Sequence, residues 1–246
     1  MNPKSCLILG ATSDIGKEIS KQLALLGYDL ILTGRNQKVL NSLQTEITQI
    51  SNKNISSSYF DVCDFPSHIQ FIEKISNLPK LVFCCIGYYE DQKNAREDTK
   101  ELLTTVHTNY SGVVSILNII TNKFELSKNG TVVVLSSVAG IRGRQINYIY
   151  GSAKAGLTAY LSGLRNRLYR SNVHITTILL GPVYTKMSAG HTLIPWITLT
   201  PENAAKKIIH AGLSKKDSVY IHWVWRYIMF AIQLIPEFIF KRLKAF

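Results

Sequence analysis

A tyrosine and a lysine stand four positions apart in the segment Tyr150-Gly151-Ser152-Ala153-Lys154. Residues at i and i+4 share one face of a helix, so a helix here would set the phenol beside the ammonium group. A free tyrosine has a pKa near ~10, too high for efficient proton exchange at neutral pH. Because a nearby positive charge lowers that pKa, the spacing indicates a general acid, Tyr150, assisted by Lys154. The alternative is an exposed helical pair.

Two polar residues precede this pair and extend the candidate site. Ser137 follows an apolar run, and Asn109 lies inside a long helical pattern. Ser136 competes with Ser137, and the distance along the chain to Tyr150 favours Ser137.

A turn of small residues separates the first apolar run from the first helical pattern: Gly10-Ala11-Thr12-Ser13-Asp14-Ile15-Gly16. Such a turn lets the backbone approach a pyrophosphate, and the following helix N-terminus supplies free N–H groups. A P-loop has four residues between its glycines, then Lys and Ser or Thr. Here five residues intervene and Glu18 follows Lys17, which argues against an NTPase. The turn predicts dinucleotide binding, with an ordinary glycine-capped turn as the alternative.

The end of the second apolar run bears on which dinucleotide is bound. Folds that prefer NAD usually place an acid there to bind the ribose hydroxyls. This run ends Thr33-Gly34-Arg35-Asn36, without an acid. The forked guanidinium of Arg35 suits a 2′-phosphate, so we expect NADP(H) to be preferred over NAD(H). The alternative is a solvated Arg35 at a helix start.

Apolar runs and helical patterns alternate along the first two-thirds of the chain. Strands are predicted at Ser5–Leu9, Asp29–Thr33, Ser57–Val62, Leu81–Ile86, Thr131–Leu135 and His174–Leu180. Helices are predicted at Ile15–Leu26, Asn36–Ile47, Pro66–Ile75, Asp98–Leu126 and Tyr148–Tyr169. This alternation predicts an α/β doubly wound parallel sheet, the Rossmann fold, with helices on both faces. We expect one domain over residues 1–246, with a C-terminal apolar helical extension at 222–246.

Taken together, these blocks resemble the short-chain dehydrogenase/reductase family over roughly residues 1–190, in the family's order. The glycine turn is similar to the family's Gly-x-x-x-Gly-x-Gly pattern, with Asp14 at the middle glycine. Asp adopts left-handed conformations with little strain, so the turn is expected to survive. The resemblance implies NADP(H)-dependent reduction of a ketone to a secondary alcohol. A non-catalytic NADP(H)-binding scaffold or sensor is the alternative from another class.

The resemblance also implies a role for each site residue. Tyr150 would be the general acid, Lys154 would lower its pKa and bind the nicotinamide ribose, and Ser137 would hydrogen-bond the substrate carbonyl. Asn109 would hold a water in the proton relay. The implied cofactor contacts beyond the turn are Asp61 and Val62 at the adenine, Gly87 near the adenosine ribose, and Gly181, Val183 and Thr185 around the nicotinamide.

Charge and cysteine content narrow the partners. The formal net charge is +12, and residues 126–201 hold 8 basic residues and no acidic one. This excess favours an anionic ligand, substrate or surface. No basic run interleaved with aromatics points to nucleic acid. The four cysteines lack a C-x-x-C pair, so we expect no metal site and reduced thiols in a cytoplasmic protein. The N-terminus also lacks the pattern of a secretory signal.

The last quarter of the chain carries the substrate clues. Residues 186–201 are where the family places a mobile substrate loop, and its apolar residues could form a lid: Met187, Leu193, Ile194 and Trp196. The segment Trp223–Phe246 is apolar on most sides, with its polar residues on one predicted helical stripe: Arg226, Gln233, Glu237, Lys241 and Lys244. A helix of this kind suits a membrane interface. The alternatives are a cover over the active site or a subunit interface in a homodimer or homotetramer.

Several segments resemble one subgroup, which includes the decaprenylphosphoryl 2-keto-pentose reductases. They are Ile86–Gln92, Thr108-Asn109-Tyr110, Ile235-Pro236 and Lys241-Arg242-Leu243. The resemblance implies a keto-sugar carried on a polyprenyl phosphate, which would account for both the basic stretch and the apolar tail. A 3-oxoacyl thioester or another soluble ketone is the alternative substrate.

Overall fold

The computed structural model describes residues 4–190 and 192–243. Its sheet has seven parallel strands in the order β3-β2-β1-β4-β5-β6-β7. The strands are β1 (Ser5–Leu9), β2 (Asp29–Gly34), β3 (Ile55–Tyr59), β4 (Leu81–Cys84), β5 (Gly130–Ser137), β6 (Val173–Leu180) and β7 (Ser218–Tyr220). The doubly wound fold is thereby confirmed.

The bounds of most strands lie within two residues of the prediction, and two strands differ more. β3 begins two residues earlier and ends before Phe60, because its ladder with β2 runs from Ile55 to Tyr59. The short edge strand β7 is missed, since its residues are exposed or half-buried and form no apolar run.

The described residues form ten α-helices. They are α1 (Asp14–Leu25), α2 (Gln37–Ile50), α3 (Ser67–Glu73), α4 (Gln92–Glu97), α5 (Thr99–Val106), α6 (Gly112–Ser127), α7 (Tyr148–Leu168), α8 (Pro201–Leu213), α9 (Val224–Leu234) and α10 (Glu237–Phe240). The predicted helix over Asp98–Leu126 is α5 and α6, joined by a π-helical turn at His107–Ser111. Short α4 and amphipathic α8 are not among the predicted helices.

Apolar side chains cover both faces of the sheet. Alternate residues of β4 show the division, because Leu81 and Phe83 join one buried cluster and Val82 and Cys84 join the other. Cys6 is buried as well, and all four thiols are free. The two clusters hold the carboxyl ends of the strands in fixed register.

The C-terminal extension is not the continuous helix that the predicted stripe requires. α9 ends at Leu234 because Pro236 disfavours a helical conformation at the residue before it. A separate single turn, α10, follows the proline. The expected stripe is therefore wrong beyond Gln233, and Lys244 lies outside the described residues. In the described part of the chain, no helix is both long and apolar enough to cross a membrane.

One face of α9 packs onto the body of the fold. Trp225 and Met229 are buried with Val138, Leu179 and Ile197. Arg142 fixes the far end, because its guanidinium donates to the Ile235 carbonyl at 2.6 Å and pairs with Glu237 at 3.0 Å. The extension is thus attached next to the carboxyl ends of β5 and β6.

Candidate active site

Two adjoining cavities open at the carboxyl ends of the strands. β1 pairs with both β2 and β4, so the order of strands reverses at this point, where doubly wound sheets bind their ligands. The cavities enclose about 270 and 190 Å³. They share five lining residues: Thr12, Ser13, Cys85, Ile86 and Gly87. One extended ligand can therefore occupy both.

The glycine turn forms the floor where the cavities meet. The Ser13 hydroxyl accepts from the Gly16 N–H at 3.1 Å and donates to the Gly10 carbonyl at 2.9 Å. Gly10 has a φ of +80°, and a Cβ on Gly16 would lie 2.4 Å from the Gly10 oxygen. The N–H groups of Asp14 and Ile15 begin α1 and lack intrahelical partners. This cradle fits a pyrophosphate.

Asp14 takes a different part from the one expected. It is the first residue of α1 and has helical backbone geometry. The expectation that the turn needs aspartate in a left-handed conformation at this position is therefore wrong. The Asp14 carboxylate accepts the backbone N–H of Lys186 at 2.7 Å. Asp14 thereby ties the phosphate turn to the predicted substrate loop.

The smaller cavity has the features expected of an adenosine site. Arg35 and Val62 line it, together with Phe60 and Thr108, which the sequence analysis did not single out. Arg35 is exposed and makes no hydrogen bond or ion pair with any described residue. Asp61 does not line the cavity, since its carboxylate accepts the Cys63 N–H at 2.9 Å.

The first turns of α7 bring the tyrosine and lysine into the larger cavity. The Lys154 ammonium lies 5.8 Å from the Tyr150 ring centroid and donates to the Leu135 carbonyl at 3.1 Å. The Ser137 hydroxyl accepts the Ala139 N–H at 3.1 Å and donates to the Leu180 carbonyl at 3.4 Å. It lies near enough to the Tyr150 phenol to lower the pKa of that phenol. Ser136 lines the larger cavity, but its hydroxyl is engaged by α7, where it lies 2.7 Å from that of Thr158. Of the two serines, Ser137 is the one beside the phenol.

Burial dominates the protonation of this pair. It raises the pKa of Tyr150 to about 12, although Ser137 opposes the rise. It lowers the pKa of Lys154 to about 8, and Cys84 opposes that shift. The pKa of Tyr150 therefore moves in the opposite direction from the lowering expected from Lys154, because burial disfavours the charged phenolate and the opposing contribution comes from Ser137 rather than from Lys154.

Asn109 lies in the π-helical turn and is fully buried. Its amide nitrogen donates to the carbonyls of Tyr88 at 2.6 Å and Thr105 at 2.9 Å, while its oxygen accepts the Tyr88 N–H at 3.1 Å. A Cβ on Gly87 would lie 3.6 Å from that oxygen and 3.9 Å from the Lys154 ammonium. Asn109 therefore positions the chain after β4 against the lysine.

Of the predicted nicotinamide contacts that follow β6, one lines the larger cavity and another is buried in the core. Thr185 lines the larger cavity, whereas Val183 is buried in the core. A Cβ on Gly181 would lie 2.1 Å from the Trp225 indole nitrogen. Gly181 therefore gives α9 its close approach to the site, a contact that no local pattern in the sequence reveals.

Comparisons with known proteins agree with this geometry. The family model for short chain dehydrogenases matches residues 4–193, and the chain belongs to the short-chain dehydrogenase/reductase family of oxidoreductases. An uncharacterized oxidoreductase of Mycobacterium tuberculosis is 32% identical over 243 residues, 96% of each chain.

Solved structures share the fold at low sequence identity. A short-chain dehydrogenase of Burkholderia cenocepacia in complex with NADP has a TM-score of 0.84 at 16% identity, covering 99% of this chain and 98% of its own. A short-chain dehydrogenase of Sphingobium yanoikuyae in complex with NADPH has a TM-score of 0.81 at 17% identity, covering 98% of each chain.

Proposed function

We propose that this oxidoreductase uses NADP(H) to reduce a ketone to a secondary alcohol. The observation that carries the proposal is one cavity lined by both the phosphate turn and the Tyr150–Lys154 pair. When bound, the nicotinamide supplies a hydride to the carbonyl carbon. Tyr150 donates its proton to the carbonyl oxygen, and Ser137 orients that oxygen. The raised pKa of Tyr150 keeps the phenol protonated at neutral pH, so the proton that the reduction consumes is present on it.

The test is NADPH oxidation, followed by its absorbance, with a panel of neutral, phosphorylated and 3-oxoacyl ketones. Ketone-dependent oxidation that the Tyr150→Phe variant lacks supports a reductase. Tight NADPH binding without turnover of any ketone would instead identify a scaffold or sensor.

Cofactor preference follows from the exposed guanidinium of Arg35. We expect NADPH to bind more tightly than NADH by roughly 1–3 kcal/mol, the range of a charge-assisted contact with the 2′-phosphate. Arg35→Ala should remove most of that difference in a fluorescence titration and leave NADH affinity unchanged. Lys38→Ala, an exposed change on the adjoining α2, is the control. Equal affinity of the wild type for both cofactors would contradict the prediction.

The substrate that we propose is a keto-sugar carried on a lipid phosphate. Its support comes from the outer face of the C-terminal extension, where five apolar side chains are between 61% and 68% exposed: Trp223, Tyr227, Phe230, Leu234 and Phe238. Ile194 and Trp196 of the predicted substrate loop are exposed as well. Exposed basic residues, Arg226, Lys241 and Arg242, accompany this apolar face. Together they suit the interface of an anionic bilayer.

We expect the protein to co-sediment with anionic vesicles and to bind less as salt is raised. Replacing Tyr227, Phe230 and Phe238 with serine should abolish sedimentation, because it removes apolar surface that would enter the bilayer interface. The fold should persist, because these side chains are exposed and make no part of the core. Deleting the extension is a poorer test, since Trp225 packs on Gly181. Tyr169→Ser, which removes an even more exposed aromatic ring at the end of α7, is the control. If the triple variant instead dissociates a stable oligomer and the wild type ignores vesicles, the face is a subunit interface.

A further inference from the structure

Three charged residues line the larger cavity: Asp14, Lys154 and Lys186. The Lys154 ammonium donates to the Leu135 carbonyl at 3.1 Å. The Asp14 carboxylate accepts the backbone N–H of Lys186 at 2.7 Å. Lys186 itself is exposed, and its ammonium group forms no hydrogen bond or ion pair with another described residue. Among these three charges, the Lys186 ammonium is therefore the one available to a ligand.

The backbone that carries this ammonium group is held from two sides. Lys186 is the first residue of a short 3-10 turn that runs to Ser188. The Thr185 N–H donates to the Ser188 hydroxyl at 3.0 Å, and that hydroxyl donates to the Val183 carbonyl at 2.7 Å. Asp14 holds the same turn from the start of α1. Lys186 thus has a defined position beside the phosphate turn.

The 3-10 turn also touches a second wall of the larger cavity. The methyl carbon of Met187 lies 3.6 Å from the position of a Cβ on Gly87, in the chain after β4. Because Asp14 lies on one wall and Gly87 on another, the turn spans the cavity between them. An ammonium group on this span can reach a ligand that lies on the phosphate turn.

The phosphate turn carries a negative charge next to the place that fits a pyrophosphate. The free N–H groups at the start of α1 favour an anion. The Asp14 carboxylate at the same helix start repels one, because like charges at short range destabilise each other. Lys17, which follows the turn in sequence, lines neither cavity, and Lys154 lies beside Tyr150. Lys186 is the cation placed to offset the charge of Asp14.

We propose that the Lys186 ammonium binds the pyrophosphate of the dinucleotide, and that Asp14 positions it by holding the Lys186 backbone. Lys186 is then a cofactor-binding residue and Asp14 a positioning residue. The inference deepens the proposed function and rests on it, since it needs a bound dinucleotide. NADPH and NADH both carry the pyrophosphate, so Lys186 adds affinity for either one, whereas Arg35 distinguishes them.

Fluorescence titrations of Lys186→Met with NADPH and with NADH test the contact. We expect both affinities to fall about fivefold, the upper value for an ion pair at an exposed site. A contact with the 2′-phosphate would instead weaken NADPH binding alone, and that result would contradict the proposal. The loss should shrink as salt is raised. Lys207→Met, an exposed change of the same charge on α8, should leave both affinities unchanged.

Asp14 is tested in combination with Lys186, because a positioning residue acts through the group that it holds. Asp14→Asn keeps an oxygen that can accept the Lys186 N–H, so Lys186→Met should still cost about fivefold in that background. Asp14→Ala removes the acceptor, and Lys186→Met should then cost about twofold or less. A full fivefold loss in the alanine background would show that Asp14 does not position the lysine.

Chemical labelling of the ammonium group gives a readout that does not depend on affinity. Saturating NADP⁺ or NAD⁺ should slow the acetylation of Lys186 several-fold, measured by peptide mass spectrometry, and leave Lys207 unaffected. Equal acetylation with and without cofactor, or unchanged affinities in Lys186→Met, overturns the inference. Cofactor binding and ketone reduction by that variant would then leave the proposed function standing. A wild type that binds neither cofactor would overturn both.

Discussion

Replacing Tyr150 with phenylalanine is expected to lower turnover at least ~10²-fold while NADPH binding persists. The substitution keeps the ring that packs against Tyr89 and removes only the hydroxyl that supplies the proton. Burial already holds the pKa of that hydroxyl at about 12, so the wild-type phenol is protonated throughout the neutral range. Initial rates with a reducible ketone and a fluorescence titration of NADPH measure the two quantities separately.

The control for this change is Tyr148→Phe on the same helix. Tyr148 is exposed, so its variant should keep the wild-type rate. Turnover near the wild-type value in Tyr150→Phe would show that another group supplies the proton.

Replacing Lys154 with methionine is expected to abolish turnover and yet stabilise the fold near neutral pH. The lysine is 2% exposed, and burial lowers its pKa to about 8 from the usual ~10.4 of a free lysine. Folding at pH 7 must therefore bury a charge. Methionine avoids that cost but loses the hydrogen bond to the Leu135 carbonyl, leaving a net gain of about 2 kcal/mol. Denaturant unfolding measures the difference.

The sign of the pH dependence follows from linkage. Between pH 8 and ~10.4 the unfolded wild type holds more protons on Lys154 than the folded one, so its stability rises across that window. The advantage of the methionine variant should be complete below pH 8 and shrink above it. Lys123→Met, at an exposed position on α6, should show no such trend. A variant less stable than the wild type at pH 7 would contradict the assigned burial cost.

The sequence by itself determines the features that depend on neighbours along the chain. Five of the seven strands follow from apolar runs, because a parallel strand covered on both faces must be apolar throughout, whereas β3 at the sheet edge is serine-rich and is only approximately located. The turn from Gly10 to Gly16 and the spacing of Tyr150 and Lys154 are equally local. Each places its groups through the geometry of a single turn or helix. The fold class and the family could therefore be inferred before any contact was known.

Only the tertiary structure decides what depends on contacts between distant segments. Asp14 and Lys186 are 172 residues apart, and the hydrogen bond between them exists because β1 and β6 end on the same edge of one sheet. Trp225 reaches Gly181 through packing that no periodicity encodes. The break at Pro236 ends a stripe that looks continuous in the sequence.

The arginines show most clearly which properties the sequence leaves open and the tertiary structure decides. An arginine in a sequence has no recognisable partner, because its counter-ion can come from any element that folds against it. Arg142 and Arg144 are two residues apart and look equivalent in the chain. Folding gives Arg142 a carboxylate from the C-terminal extension and leaves Arg144 without one beside Tyr89. Burial likewise sets the pKa values of Tyr150 and Lys154, since desolvation depends on everything that packs around a group and not on its neighbours in sequence.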